Sequence, residues 1–328
     1  MPAGTRLKGA TLKLETYDIA KGIGIILVYI GHCYIGERTQ TLSNVIYWIY
    51  SFHMPFFFFV SGMLFSPKKK EFRNFIWNKS VSLLIPYSFF SILNWPLLKI
   101  FVHSPGNILL DGWGQNPLWF IPVLYLLEIL HYFIIFDKRW KRWGSVVILL
   151  AVLIWKTQNN GWLPYAVSEL TWFYFCLLSG YLLKKLIIIP NNQTKAFLIP
   201  VLLFIVHFYI LFFVITPYNA NYRLQDNDLL SYVARYIIGM IGTFSLLYFS
   251  IFLNKWHQLT GGLKWLGQNT MVILCTHKMY YEILQTVNYH KNPLNGINLI
   301  LVWGLIILTI LLYNHFIKPI IDKMRITL

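Results

Sequence analysis

Ten apolar stretches, most of them close to twenty residues long, follow one another along this chain with only short polar connections between them. A helix needs roughly 20 apolar residues to cross the hydrocarbon core of a bilayer. It also satisfies its own backbone donors and acceptors, which an irregular segment in lipid does not. The stretches fall at 19–37, 44–66, 80–102, 118–136, 144–157, 165–183, 196–216, 229–254, 265–285 and 297–317. The expected fold class is therefore all-α, a polytopic transmembrane helix bundle of about ten spans. The fifth stretch is short, and the first and ninth carry polar residues; a bundle of eight spans results if one of these is re-entrant. Composition agrees: 57% of the residues are hydrophobic and 12% charged, about half the charged fraction of a soluble domain. The spans and their loops use the 328 residues, so 1–328 reads as a single transmembrane domain with no appended soluble domain.

A net charge of +16 would suit a nucleic-acid binder, but its placement does not. The basic residues cluster between apolar stretches, where they act as orientation signals. One set of loops holds 21 of the 28, among them Arg6, Lys8, Lys13, Lys21, Lys68, Lys69, Lys70, Arg73, Lys79, Arg139, Lys184, Lys264 and Arg325. The other set holds seven: Arg38, Lys99, Lys156, Arg223, Arg235, Lys278 and Lys291. This bias predicts that both termini are cytoplasmic, in agreement with an even number of spans, and that the protein sits in the cytoplasmic membrane. The first apolar stretch lacks the small-residue cleavage site of a signal peptide and reads as the first span. Cys33, Cys176 and Cys275 lie inside apolar stretches with no metal-ligand spacing, and read as packing residues; no metal is expected.

The segment from Tyr17 to His32 concentrates the chemistry. Lys21 and His32 are eleven residues apart, close to three helical turns, so they share a face roughly 16 Å apart along the axis. Asp18 is placed to pair with Lys21 at i,i+3. Gly24 and Gly31 lie on a neighbouring face, where small residues admit another helix. A bland reading exists for each: Lys21 as a snorkelling anchor, His32 as a satisfied bundle histidine. Titratable groups inside a span are nonetheless functional candidates by default. The second span carries Phe52-His53-Met54-Pro55 followed by Phe56-Phe57-Phe58-Phe59, where His53 precedes a proline and the phenylalanines suit packing or lipid contact. Glu128 and His131 form an i,i+3 pair in the fourth span, read as a structural hydrogen-bonded pair or a cavity lining. His103, His207, His257, His290 and His315 read as interfacial or packing residues.

Three blocks of the sequence resemble the acyltransferase-3 family of bacterial membrane acyltransferases, which includes fucose 4-O-acetylase-like proteins. They are Asp18-x-x-Lys21-Gly22 with Gly31-His32; Phe52-His53-Met54-Pro55 through Ser61-Gly62; and Lys79 with Leu84-Ile85-Pro86-Tyr87. Weaker matches are Leu118-Trp119-Phe120-Ile121 and Leu266-Gly267-Gln268-Asn269-Thr270 with His277. Two positions depart from the family pattern: Ser82 stands where arginine is usual, and Ile273-Leu274-Cys275 stands where a tyrosine is often found. The resemblance implies a membrane-bound O-acyltransferase that moves an acetyl or other short acyl group from cytoplasmic acyl-CoA, its co-substrate, to a hydroxyl of a surface glycan or lipid-linked sugar. It also implies catalytic roles for His32 and Lys21. The positions of other residues suggest Asp18 as the catalytic partner of Lys21; Lys21, His53 and Lys79 for donor binding; and Trp119, Glu128 and His277 for acceptor binding. Membrane lipids are the expected surroundings, nucleic acid is not an expected partner, and the sequence leaves a homo-oligomer open.

The chemistry fits the residues. An alcohol is a weak nucleophile at neutral pH, and histidine is the side chain that most readily takes its proton there. The rival reading is a transporter or flippase of lipid-linked sugars, which calls for paired carboxylates near the midplane and for repeat symmetry. The chain has few intramembrane acids and no evident repeat. A glycan polymerase would bring a large outer loop, and a scaffold would not need aligned polar residues.

Overall fold

The computed structural model describes residues 3–33, 39–66, 72–102, 117–137, 139–157, 165–187, 190, 192–215, 229–256, 258, 260–287 and 296–326. Arg38, Lys68, Lys69, Lys70, Lys138, Arg223, Lys291, His103, His257 and His290 lie outside these residues, so the loop-charge assignment falls partly on positions not described. No strand occurs among the described residues.

Helix follows helix along the chain. The first, α1, runs Ala3–His32, far longer at its N-terminal end than the apolar stretch that marks it, and α2 runs Gln40–Leu64. Next come α3 (Phe72–Lys79) and α4 (Ile85–Phe101), joined by a widened π-type turn, Ser80–Leu84. Then follow α5 (Phe120–Phe136), α6 (Trp140–Thr157), the single turn α7 (Tyr165–Ser168), α8 (Leu170–Leu183) and α9 (Gln193–Tyr209). The chain continues as α10 (Leu229–Leu253), α11 (Gly261–Gln268), α12 (Thr270–Val287), α13 (Gly296–Leu312) and α14 (Lys318–Ile326).

Among the described residues, five helical stretches are long and apolar enough to cross a membrane: Gln40–Leu64, Phe72–Phe101, Gln193–Val214, Ser231–Leu253 and Asn298–Arg325. Phe120–Phe136 and Leu170–Leu183 are shorter apolar helices. The stretch expected at 265–285 is broken, because the helix stops at Asn269 and restarts at Thr270.

Prolines shape the long stretches. The N–H of Ile85, just before Pro86, donates to Ser80 O, five residues back. The N–H of Lys318, just before Pro319, does the same to Tyr313 O. A proline ring clashes with the carbonyl four residues before it. Widening the preceding turn by one residue relieves the clash while the helix continues.

The described chain forms two compact units. The first comprises residues 1–31, 38–65 and 175–270, and the second residues 32–37, 66–174 and 271–328. In the first unit α1, α2 and α10 pack through Tyr17, Phe59, Met63, Met240, Leu247 and Ile251, with a second cluster of Ala20, Phe52, Phe56, Val60 and Leu246. Phe56, Phe58 and Phe59 are fully buried, so this part of the phenylalanine run is core rather than lipid contact. Gly24 and Gly31 lie against Phe56 and Tyr50 of α2, the close approach that the spacing predicts.

Two reciprocal glycine crossings hold the unit more tightly. A methyl group on Gly22 would strike Leu263 O, and one on Gly267 would strike Asp18 O, so α1 and α11 meet backbone to backbone. Gly62 and Gly180 do the same for α2 and α8, against Leu177 O and Phe59 O. The second unit is centred on Phe90, Leu127, Phe173, Ile273, Val302, Ile306 and Ile310, all buried.

These crossings predict opposite outcomes for one type of substitution. Gly22→Ala should destabilise the detergent-solubilised protein by about 1–3 kcal/mol, the usual cost of overpacking. Gly304→Ala, which meets nothing within 4 Å, should be neutral or gain up to about 1 kcal/mol from helix propensity. Thermal unfolding followed by fluorescence size exclusion separates the two.

Candidate functional site

Helix α1 carries Asp18 and Lys21 in its interior and His32 as its last residue. In the first unit, Lys21 Nζ lies 2.8 Å from Asp18 Oδ1, the pair that i,i+3 spacing predicts. Gln268 Nε2, on α11, donates to the other carboxylate oxygen, Asp18 Oδ2, at 3.1 Å. Lys264 of the same helix pairs with Glu15 at 2.9 Å. Asp18 is thus held from both sides, and the glycine crossing at Gly22 and Gly267 sets the distance at which α11 reaches it. Lys21 and Asp18 are each about one-fifth exposed, so the ammonium is held in place yet open to an anion.

The histidines differ in what their ring nitrogens do. His207 accepts at Nδ1 from Trp48 Nε1 (3.2 Å), so its neutral ring carries the hydrogen on Nε2, which lies 3.0 Å from Ser51 Oγ. Ser51 Oγ donates in turn to Trp48 O at 2.7 Å. Every member of this network is satisfied, and His207 is a structural residue despite the serine beside it. His53 is buried, and its Nδ1 donates to Ile49 O at 3.0 Å. Its ring lies 5.1 Å from that of Tyr50, whose hydroxyl donates to Gly31 O at 2.9 Å.

In the second unit the structure brings together His32 and His277, with ring centroids 5.5 Å apart and planes tilted by 45°. His32 is partly exposed, whereas His277 is fully buried. His277 Nδ1 donates to Ile273 O at 2.8 Å, and the Cys33 thiol lies 3.8 Å from His277 O. Two residues earlier, Asn94 Nδ2 donates to Cys275 O at 2.7 Å. The chain that carries His277 is therefore tied from two other segments.

Lys79 and Glu128, assigned to different substrates from the sequence, meet in this unit: Nζ lies 2.7 Å from Glu128 Oε1. This corrects the expected Glu128–His131 pair. Glu128 turns to Lys79, and His131 Nδ1 lies 3.3 Å from the Tyr174 hydroxyl. The widened turn at Ser80–Leu84 starts directly after Lys79, and Ser80 Oγ meets the Tyr125 hydroxyl at 2.9 Å. Trp119 closes a short 3-10 turn, Pro117–Trp119, and stacks on Phe173 at 5.3 Å.

Sequence reasoning missed Gln268 as the second partner of Asp18 and Lys79 as the partner of Glu128. The blocks containing Gln268 and Lys79 were visible; their partners, 250 and 49 residues away, were not.

A helical chain with several membrane-length apolar stretches and titratable side chains paired in its interior belongs to the class of multi-pass membrane proteins. Within that class it belongs to the acyltransferase-3 family, whose acyltransferase-domain model matches residues 14–313. Over 141 residues it is 34% identical to Nodulation protein NolL of Mesorhizobium japonicum, covering 39% of this chain and 36% of that protein. Over 111 residues it is 35% identical to Nodulation protein NolL of Sinorhizobium fredii, covering 31% and 30%. The chain spans about a third of the length of these curated relatives. No solved structure matches it.

The Lys79–Glu128 pair gives a direct test. Glu128 is almost sealed from solvent, and Lys79 is less than one-third exposed. Lys79→Met leaves the carboxylate unpaired and should cost about 3 kcal/mol, the lower end of the range for breaking a buried pair. Adding Glu128→Gln should recover part of that loss, as a double-mutant cycle on thermal stability would show.

Proposed function

We propose that the protein is a membrane O-acyltransferase. In this reading it moves an acetyl or other short acyl group from acyl-CoA to a hydroxyl of a cell-envelope polysaccharide or its lipid-linked precursor. The observation that carries the reading is the family membership over nearly the whole chain, together with matching residues at its catalytic block: Lys21, held by Asp18, and His32 on the same helix.

His32 is the general base. It takes the proton of the acceptor hydroxyl as the oxygen attacks the thioester carbonyl. The new C–O bond forms, the C–S bond breaks, and the proton returns from the imidazolium to the departing sulfur. A base so placed contributes about 10²–10⁴-fold. Its partial exposure supports this role, since a base must meet the acceptor.

Lys21 holds an anionic group of the donor or polarises its thioester. Asp18 positions that ammonium and is itself oriented by Gln268. An ammonium between one carboxylate and open space can engage a phosphate without being dragged into a second internal pair. His53 is assigned to the donor as an oxyanion ligand or second proton carrier. Lys79 is assigned to the donor, while Trp119, Glu128 and His277 are assigned to the acceptor. The donor enters from the cytoplasmic side, where the basic loops are expected.

His32→Ala should lower transfer of label from isotopic acetyl-CoA to envelope glycan by at least about 10²-fold. Membrane insertion and elution profile should stay unchanged. Wild-type transfer in that variant would remove His32 from the mechanism. Absence of transfer by the wild-type protein with any short acyl-CoA would point instead to sugar transport.

A further inference from the structure

We propose that the protein binds the phosphate headgroup of an anionic phospholipid at a basic and aromatic cluster in the second unit, where the ends of α3, α5 and α6 meet. The inference does not depend on the acyl-transfer reading.

Aromatic packing gathers the cluster. Phe72, the first residue of α3, lies 5.4 Å from the Tyr132 ring and 4.8 Å from the Phe133 ring, near the end of α5. Lys141, in the first turn of α6, reaches back over both segments. Its Nζ lies 5.3 Å from the centroid of Phe133, 5.9 Å from that of Phe72 and 5.6 Å from that of Trp140. Arg73 follows Phe72, and Arg139 and Arg142 flank Trp140 and Lys141. Four basic residues thus converge from two helix starts beside the end of a third.

Their charge is not answered within the cluster. Lys141 rests on aromatic rings rather than on a carboxylate. Arg139 engages Asp137 only through its backbone N–H, which donates to Oδ1 at 3.2 Å. Arg142 Nη2 reaches Ile135 O at 3.5 Å, the outer limit of a hydrogen bond, and its buried Nε has no acceptor. None of the four forms an ion pair among the described residues. The first turn of α6 holds no acidic residue, and the helix dipole works against cations there.

Such a cluster draws an anion, and a guanidinium grips a phosphate through parallel N–H donors. The tryptophans select which anion. Trp140 is 75% exposed and Trp143 67% exposed. Indole rings settle at the headgroup level of a bilayer, and basic clusters at that level attract anionic headgroups. A water-soluble phosphate compound would leave both indoles in water. An orientation signal needs only charge in a loop; it does not call for converging helix ends or exposed indoles.

The test uses the purified full chain in detergent, titrated with phosphatidylglycerol or with phosphatidylcholine, with bound lipid counted by native mass spectrometry. Arg139→Gln/Arg142→Gln removes two charges from the cluster. Lys185→Gln/Lys195→Gln removes two exposed lysines of the first unit and serves as the charge-matched control. If the first double variant fails to fold, Arg73→Gln/Arg139→Gln, at two exposed positions, takes its place.

The expected result is a wild-type preference for phosphatidylglycerol, an affinity for that lipid lowered at least about tenfold in the cluster variant, and wild-type affinity in the control. Added coenzyme A should leave the bound lipid in place. The proposal is overturned by equal binding of the two lipids to the wild-type chain. Equal losses in the two double variants also overturn it, because they show attraction by overall charge. Displacement of phosphatidylglycerol by coenzyme A overturns it as well, and assigns the cluster to a soluble phosphate compound.

Discussion

An imidazole moved out of water must either find partners for both ring nitrogens or leave one available for chemistry, and that constraint sorts the interior of this protein. Burying an unpaired polar group costs on the order of a few kcal/mol. His207 is satisfied on both sides by Trp48 and Ser51. His277 is satisfied on one side and bare on the other. The difference does not lie in burial, since both are buried, but in what the adjoining helices offer.

The carboxylates obey the same rule. Asp18 is held between Lys21 and Gln268, and Glu128 takes Lys79 across the second unit. Close backbone contact makes the first arrangement possible. Only glycine lets α11 approach α1 closely enough for a glutamine side chain to reach the carboxylate, and both crossing positions, 22 and 267, are glycine. The chain that carries these arrangements belongs to the acyltransferase-3 family.

Much of this was legible in the sequence. The helical class followed from the length of the apolar stretches, the Asp18–Lys21 pair from i,i+3 spacing, and the face for close packing from Gly24 and Gly31. Other features were not legible, for physical reasons. Hydropathy does not distinguish a phenylalanine facing lipid from one in the core, so Phe56, Phe58 and Phe59 needed coordinates. Spacing along one helix suggested His131 for Glu128, but a lysine on another helix offers a full charge and wins. The N-terminal extension of α1 to Ala3 is polar and gave no apolar signal. The break at Asn269 sits inside a stretch that reads as continuous in hydropathy. The tautomer of His277 depends on a carbonyl four residues back, which a sequence implies only once the helix is known.

The proposed transfer of an acyl group to an envelope glycan through His32 would leave its mark on the glycan itself. Mass analysis of the glycan from cells carrying the wild-type chain and from cells carrying His32→Ala at equal membrane abundance tests it most directly. The expected result is a glycan heavier by one short acyl group per modified sugar with the wild-type chain and the unmodified mass with the variant. Identical glycan masses in the two would contradict it.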